Sequence, residues 1–236
     1  EIAARSEKNP FDMLKNDTAV QYPETINVFK YETVMMELFY GFLYRIINFG
    51  LPFNLFLIYA YCLFSSLTVV MVFLIARQLF KNDIVAFGGA LYYATTPVSY
   101  LRTAAGSFLR EDFSMVFILL SVLLIMIQLR PKSKPSINMA SGFIIAFGLS
   151  SWHFNNFIYI CMLPFFFWLF ITRPNVLKNY LYSFLIIFIS SLTVPVLTTS
   201  GFATSLLMCG LYAIIIAYFF GKRFEKPLIR LLLLLG

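Results

Sequence analysis

The chain has 236 residues, 60% of them hydrophobic and only 12% charged, with 28 Phe and a mean hydropathy of +0.82. Soluble domains carry about 25% charged residues, so this composition excludes one and specifies a polytopic membrane protein. The formal net charge of +7 does not indicate a nucleic-acid partner, because the basic residues sit at the ends of apolar runs rather than along one polar face.

Residues 1–33 are the only soluble-looking part, and their Asn9-Pro10, Lys15-Asn16-Asp17 and Tyr22-Pro23-Glu24 punctuation predicts loop with short helical turns. Residues 34–50 are apolar and aromatic but interrupted by Glu37 and Arg45. Such a segment is expected to lie at the outer interface or to enter the membrane packed against other helices, although a plain helical lead-in to the first span has the same composition. Seven apolar runs follow, near 52–75, 84–101, 113–129, 136–152, 155–172, 179–197 and 202–220, each close to the roughly 20 residues a spanning helix needs. An eighth begins at Leu228. The expected fold is an all-α helical membrane bundle with about seven to eight spanning helices, in which 1–50 form an outer loop with interfacial helices and 51–236 the transmembrane domain. The chain begins at Glu1 without a Met and stops inside a Leu run, so it reads as a fragment, and an upstream helix is expected to deliver residues 1–50 across the membrane.

Successive loops alternate in charge. Counted over the loops that follow each span, Arg77 and Lys81, then Arg130, Lys132 and Lys134, then Arg173 and Lys178, then Lys222, Arg223 and Lys226 place ten basic residues in one alternating set, against Arg102 and Arg110 in the other. Positive charge is retained on the cytoplasmic side, so residues 1–50 and the loop 102–112 are expected to share the outer, non-cytoplasmic face. That face also carries nine of the eleven carboxylates, leaving only Asp83 and Glu225 inside. The spans hold no Asp, Glu, Lys or Arg, which argues against an ion-coupled carrier but leaves a neutral-solute carrier open. Pro164 and Pro195 interrupt the fifth and sixth runs, and Cys62, Cys161 and Cys209 lie within apolar runs without the spacing of a zinc or redox pair.

Chemistry is expected in the loop 102–112. Glu111 and Asp112 are hard oxygen ligands suited to Mg²⁺ or Mn²⁺, Arg102 and Arg110 suit a phosphate, and Gly106 permits a tight turn. The same two acids also stand at the N-terminus of the third span, where a carboxylate favours the helix dipole and caps free N–H groups. His153, the single histidine, follows Trp152 in a short outer turn; an interfacial Trp-His pair anchors at headgroup level, and a substrate contact is the alternative.

Together these residues resemble the catalytic subunit of oligosaccharyltransferase, a membrane glycosyltransferase of the GT-C superfamily. In that family a second outer loop carries an Arg-Ser/Thr-x-x-Gly-x-x-Asp-x-Asp/Glu motif, and Arg102-Thr-Ala-Ala-Gly-Ser-Phe-Leu-Arg-Glu111 runs in the same register. Leu74-Ile-Ala-Arg-Gln-Leu-Phe80 looks like the family's helix exit, Ser151-Trp-His-Phe-Asn155 like its Trp-rich turn, and Asn16-Asp-Thr-Ala-Val-Gln-Tyr-Pro-Glu24 like the stretch after its first acidic motif. The resemblance implies a GT-C helical bundle that moves a glycan from a polyprenyl-linked phosphate or pyrophosphate donor to an asparagine of an acceptor polypeptide. It also implies Arg102 and Glu111 as catalytic residues, Arg110 and His153 in substrate binding, and a cation held by Glu111 and Asp112. Leu109 stands where the family has its first motif Asp, so the cation would need Asp112 from one residue later. A GT-C transferase using a polyprenyl-phosphate monosaccharide fits the same pocket without requiring a metal, and a non-catalytic membrane protein is the third reading.

Overall fold

The computed structural model describes residues 9–17, 25–97, 108–131 and 133–221. Arg102 and Gly106 of the charged loop, Lys132, the basic cluster after Gly221 and the run at Leu228 lie outside them. The described residues are helical throughout apart from turns and one isolated antiparallel bridge. Four helical stretches among them are long and apolar enough to cross a bilayer: Phe53–Phe80, Arg110–Gln128, Phe154–Thr172 and Pro174–Thr193. The other apolar runs are also helical but shorter, with 13, 17 and 16 residues in Asp83–Thr95, Pro135–Ser151 and Leu206–Gly221. At 1.5 Å per residue these reach about 20 to 26 Å. The protein is an integral membrane helical bundle.

Two compact units are distinguished, the first formed by residues up to Leu123 together with Ser150–Trp152, the second by Leu124–Leu149 and the residues from His153 onward. The first begins with α1, Pro10–Lys15, and α2, Val28–Tyr31, each capped by an Asn (Asn9 and Asn27) whose side-chain oxygen accepts an N–H two residues on. Asp17 and Ile26 exchange backbone hydrogen bonds of 3.0 and 2.9 Å, tying the residues after α1 to those before α2. Helix α3, Met35–Ile46, covers about 18 Å and buries Met36, Leu38, Tyr40 and Gly41 on one side. It is too short to span, and its aromatic face packs on the helices that do.

Helix α4, Phe53–Phe80, and α5, Asp83–Thr95, form a tight antiparallel hairpin. Lys81 ends α4 in the left-handed region at φ 52°, and Asn82 starts α5 by accepting the N–H groups of Ile84 and Val85. Arg77 and Asp83 pair across this turn at 2.7 Å with both side chains exposed, so the contact orients the turn more than it stabilises it. The outward faces of the hairpin carry Tyr59, Leu63, Phe87 and Tyr92, all exposed, as lipid-facing surface requires. Helix α6, Arg110–Gln128, completes the first unit and runs on into the second.

The second unit adds α7, Pro135–Ser151, α8, Phe154–Cys161, α9, Leu163–Thr172, α10, Pro174–Thr193, α11, Pro195–Thr199, and α12, Leu206–Gly221. Prolines punctuate it. Pro164 opens α9 after a turn at Met162, Pro174 starts α10 five residues earlier than the sixth apolar run predicts, and Pro195 follows its end. The core is built on Phe166, Leu169, Phe170, Leu177, Tyr180 and Phe184. Polar groups inside it are chained together: Gln128 donates to the Ser183 hydroxyl at 3.2 Å, which donates to the Asn138 carbonyl at 2.6 Å, while the Tyr180 hydroxyl donates to the Ile125 carbonyl at 2.8 Å. Asn179 donates to the carbonyls of Gln128 and Arg130, satisfying the open C-terminus of α6. In a bilayer such bonds join helices because lipid offers the same groups nothing.

Gly142 is what lets α7 and α10 approach so closely. A Cβ at this position would stand 2.7 Å from both the Ser183 carbonyl oxygen and Ile186 Cβ, a clash with backbone that no rotamer relieves. Gly142→Val is therefore expected to lower the stability of the detergent-solubilised protein by about 1–3 kcal/mol, read as a fall in thermal unfolding midpoint. Gly88→Ala, at a site open for 4 Å around, should leave the midpoint unchanged.

Candidate functional site

The charged residues that open α6 lie in the first unit, and three elements converge on them. Arg110, the first residue of α6, turns its guanidinium to two carboxylates of the pre-membrane segment. Its Nε and Nη2 donate to Glu37 Oε1 of α3 at 3.0 and 2.8 Å, and its Nη1 donates to Glu32, the residue that ends α2. The three side chains are 31%, 45% and 54% exposed, so each pair contributes at most about 1 kcal/mol. Their greater effect is geometric: residues 32–37 are tied to a helix start more than 70 positions later in the chain. Arg110 therefore already has two anionic partners, and a substrate phosphate would have to share the guanidinium with them.

Asp112 is 9% exposed, and its Oδ2 accepts the Tyr61 hydroxyl of α4 at 3.0 Å. The same hydroxyl oxygen accepts the Leu109 N–H at 3.2 Å, one of the donors a helix start leaves open. Tyr61 thus caps the entry of α6 from a neighbouring helix, and Leu109, half-exposed, takes part through its backbone. Below this node Phe113, with no exposed surface, stacks on Phe64 at 5.0 Å and meets Phe39 at 5.3 Å and Tyr40 at 5.5 Å. This cluster packs α3, α4 and α6 together and gives the polar turn above it an apolar floor. Burial pushes the Tyr40 hydroxyl well above its ordinary pKa, so it stays protonated.

Glu111 is half-buried in the same first turn, beside Asp112. The structure therefore brings Arg110, Glu111 and Asp112 onto one helix start, with Glu32, Glu37 and Tyr61 around them. His153 is exposed and belongs to the second unit, where it precedes α8. Arg102 falls outside the described residues. Sequence reasoning missed Glu32, Glu37 and Tyr61. Glu37 carried a signal, as an acid breaking an aromatic run, whereas Glu32 lay in the polar lead-in and Tyr61 carried none among fourteen tyrosines.

A divalent cation needs several oxygen ligands converging on one point. Among the described residues no three His, Cys, Asp or Glu side chains do so. The Asp112 carboxylate takes a tyrosine hydroxyl, and Glu32 and Glu37 take Arg110. These residues as arranged do not fit a cation, and no chemical step is derived through one.

Comparison with known proteins agrees with a membrane protein of this kind but changes the family. The C-mannosyltransferase dpy-19 homolog of Drosophila melanogaster is 24% identical over 161 residues, an alignment covering 63% of this chain and 18% of the fly protein. The chain thus matches less than a fifth of that relative's length. The family model described as "Dpy19: Q-cell neuroblast polarisation" matches residues 2–235. The match is to this family and not specifically to the oligosaccharyltransferase catalytic subunit that the 102–111 motif resembles. With nearly every residue accounted for by one family model, the chain belongs to the Dpy19 family.

Proposed function

We propose that this chain is part of a GT-C membrane glycosyltransferase that moves a single mannose from a polyprenyl-phosphate donor to a carbon atom of an acceptor polypeptide. The observation that carries this reading is the family match over residues 2–235, together with a relative named as a C-mannosyltransferase. Transfer to carbon forms a C–C bond at the anomeric centre, breaks its bond to the phosphate oxygen and releases a proton from the acceptor carbon. The site must therefore stabilise a leaving phosphate, steady positive charge at the sugar and accept one proton. Arg102 is assigned to the phosphate and Glu111 to the proton. Asp112, tied to Tyr61, holds the helix start on which Glu111 is presented.

Arg110 and His153, expected as substrate contacts, take different places in this proposal. Arg110 positions the pre-membrane segment through Glu32 and Glu37, and His153 is kept as an interfacial contact to the donor or the membrane. The loop 102–112 is assigned to the non-cytoplasmic face on the distribution of Lys and Arg. The asparagine acceptor implied by the oligosaccharyltransferase resemblance has no support in the family match.

Three outcomes test this reading in the full-length protein. Glu111→Gln is expected to lower mannose transfer from polyprenyl-phosphate mannose at least about 100-fold while the protein still folds, as loss of a general base does; full activity would favour a non-catalytic membrane protein. Arg110→Glu is expected to lower transfer about 10-fold, and adding Glu37→Arg should recover part of it because the pair is restored with its charges exchanged. No recovery would return Arg110 to the phosphate. Mg²⁺ or Mn²⁺, implied by the resemblance through Glu111 and Asp112, is tested by excess chelator: transfer is expected to persist, and a loss reversed by Mn²⁺ would place a cation in the reaction.

A further inference from the structure

The sequence contains no Asp or Glu from Phe113 through Phe224, so the described part of the second unit has no carboxylate side chain to offset its basic residues. Those residues gather at one end of it. Arg130 follows the C-terminus of α6, Lys134 precedes α7, Arg173 joins α9 to α10, and Lys178 lies in the second turn of α10. The bonds from Asn179 to the carbonyls of Gln128 and Arg130 hold the start of α10 against the end of α6, so Arg130 and Lys178 share this end. Arg173 stacks over Trp168 at 6.0 Å, which disperses its charge without neutralising it. Lys178 is exposed and makes no ion pair with any of the described residues.

From Lys178 an apolar cavity of about 500 Å³ runs between α10 and α12. Leu185 and Phe188 form one wall, Ile215 and Phe219 the other, and Leu185 and Phe219 are 52% and 67% exposed toward the surroundings. The far end is closed where Phe188 meets Tyr212 edge-on at 5.9 Å, and the Tyr212 hydroxyl is spent on the Ala203 carbonyl at 3.1 Å. Lys178 is thus the charged group of the slot, and it stands at the mouth. From Lys178 to Phe188 the slot follows α10 for about 15 Å.

An exposed cation at the mouth of an apolar slot open along its side is complementary to an amphiphile with an anionic head and a hydrocarbon tail. An acidic peptide would satisfy Lys178 but leave the slot empty. A polyprenyl phosphate has the right chemistry, but the loop assigned to the donor is expected on the non-cytoplasmic face, whereas Lys178 belongs to the basic set expected on the cytoplasmic one. The basic end is also the one expected to face the cytoplasm, where anionic lipids concentrate. We infer that the slot between α10 and α12, with Lys178 at its mouth, binds an anionic membrane phospholipid.

The test uses the full-length protein in detergent, offered equal concentrations of phosphatidylglycerol and phosphatidylcholine, with retained lipid counted by native mass spectrometry. About fivefold preference for phosphatidylglycerol is expected from one basic contact, falling close to parity in Lys178→Gln. Leu185→Trp, which fills the slot and leaves Lys178 in place, should reduce retention of both lipids, with unchanged thermal midpoints showing that each variant is folded. Equal retention by the parent protein, or an undiminished preference in Lys178→Gln, overturns the inference. So does displacement of phosphatidylglycerol by equimolar polyprenyl phosphate, which would make the slot a donor site.

Discussion

Asp112 sits almost fully buried at the start of a helix that carries no charged residue beyond it, and an unpartnered carboxylate there would be strongly destabilising. The first unit meets that constraint with one tyrosine. Tyr61 reaches from α4 to give its proton to Asp112 and its lone pair to the Leu109 N–H, so one hydroxyl satisfies a side chain and a helix start together. Because the node lies above the stacked rings of Phe64 and Phe113, the packing of α3, α4 and α6 fixes where the acids of α6 point. Arg110 adds the outer strap, holding residues 32–37 over the same helix start. A polar turn framed from several elements can keep its geometry while a charged substrate enters and leaves.

The described part of the second unit solves the same problem without acids. Its internal polar groups are serines, asparagines and a glutamine linked to carbonyls of neighbouring helices, and Gly142 allows two of those helices close enough for the links to form. Positive charge among its described residues is gathered at one end. One unit carries ion pairs and a buried carboxylate, and the other a neutral interior with a basic rim.

The helical class was legible in the sequence because an apolar run of spanning length has few ways other than a helix to satisfy its backbone in lipid. Breaks at Pro164 and Pro195 were legible for the same kind of local reason. Helix length was less so: the second run looks continuous over 84–101, yet α5 ends at Thr95, two residues before Pro97, whose ring disfavours helix in the residue ahead of it. The acids of the site were visible as charges out of place, but the partners of Arg110 and Asp112 come from 51 to 78 residues away, and no local pattern encodes such pairings. The motif at 102–111 drew attention to the charged turn that opens α6 and suggested a family other than the one that matches. A ten-residue pattern built around Arg, Gly and an acid says more about phosphate chemistry than about which acceptor is used, and only a match along the whole chain separated the two.

The two-residue turn at Lys81 and Asn82 has a consequence for how the chain reaches its membrane. A connection this short, locked by a left-handed Lys and bridged by Arg77 and Asp83, leaves α4 and α5 no slack to part. The 13-residue α5 is too short to cross a bilayer of average thickness alone, so its lodging depends on the longer partner beside it. The pair is therefore best regarded as one insertion unit: α5 would enter the membrane on the back of α4, and the basic turn, remaining at the surface, would be the pivot about which the hairpin folds in.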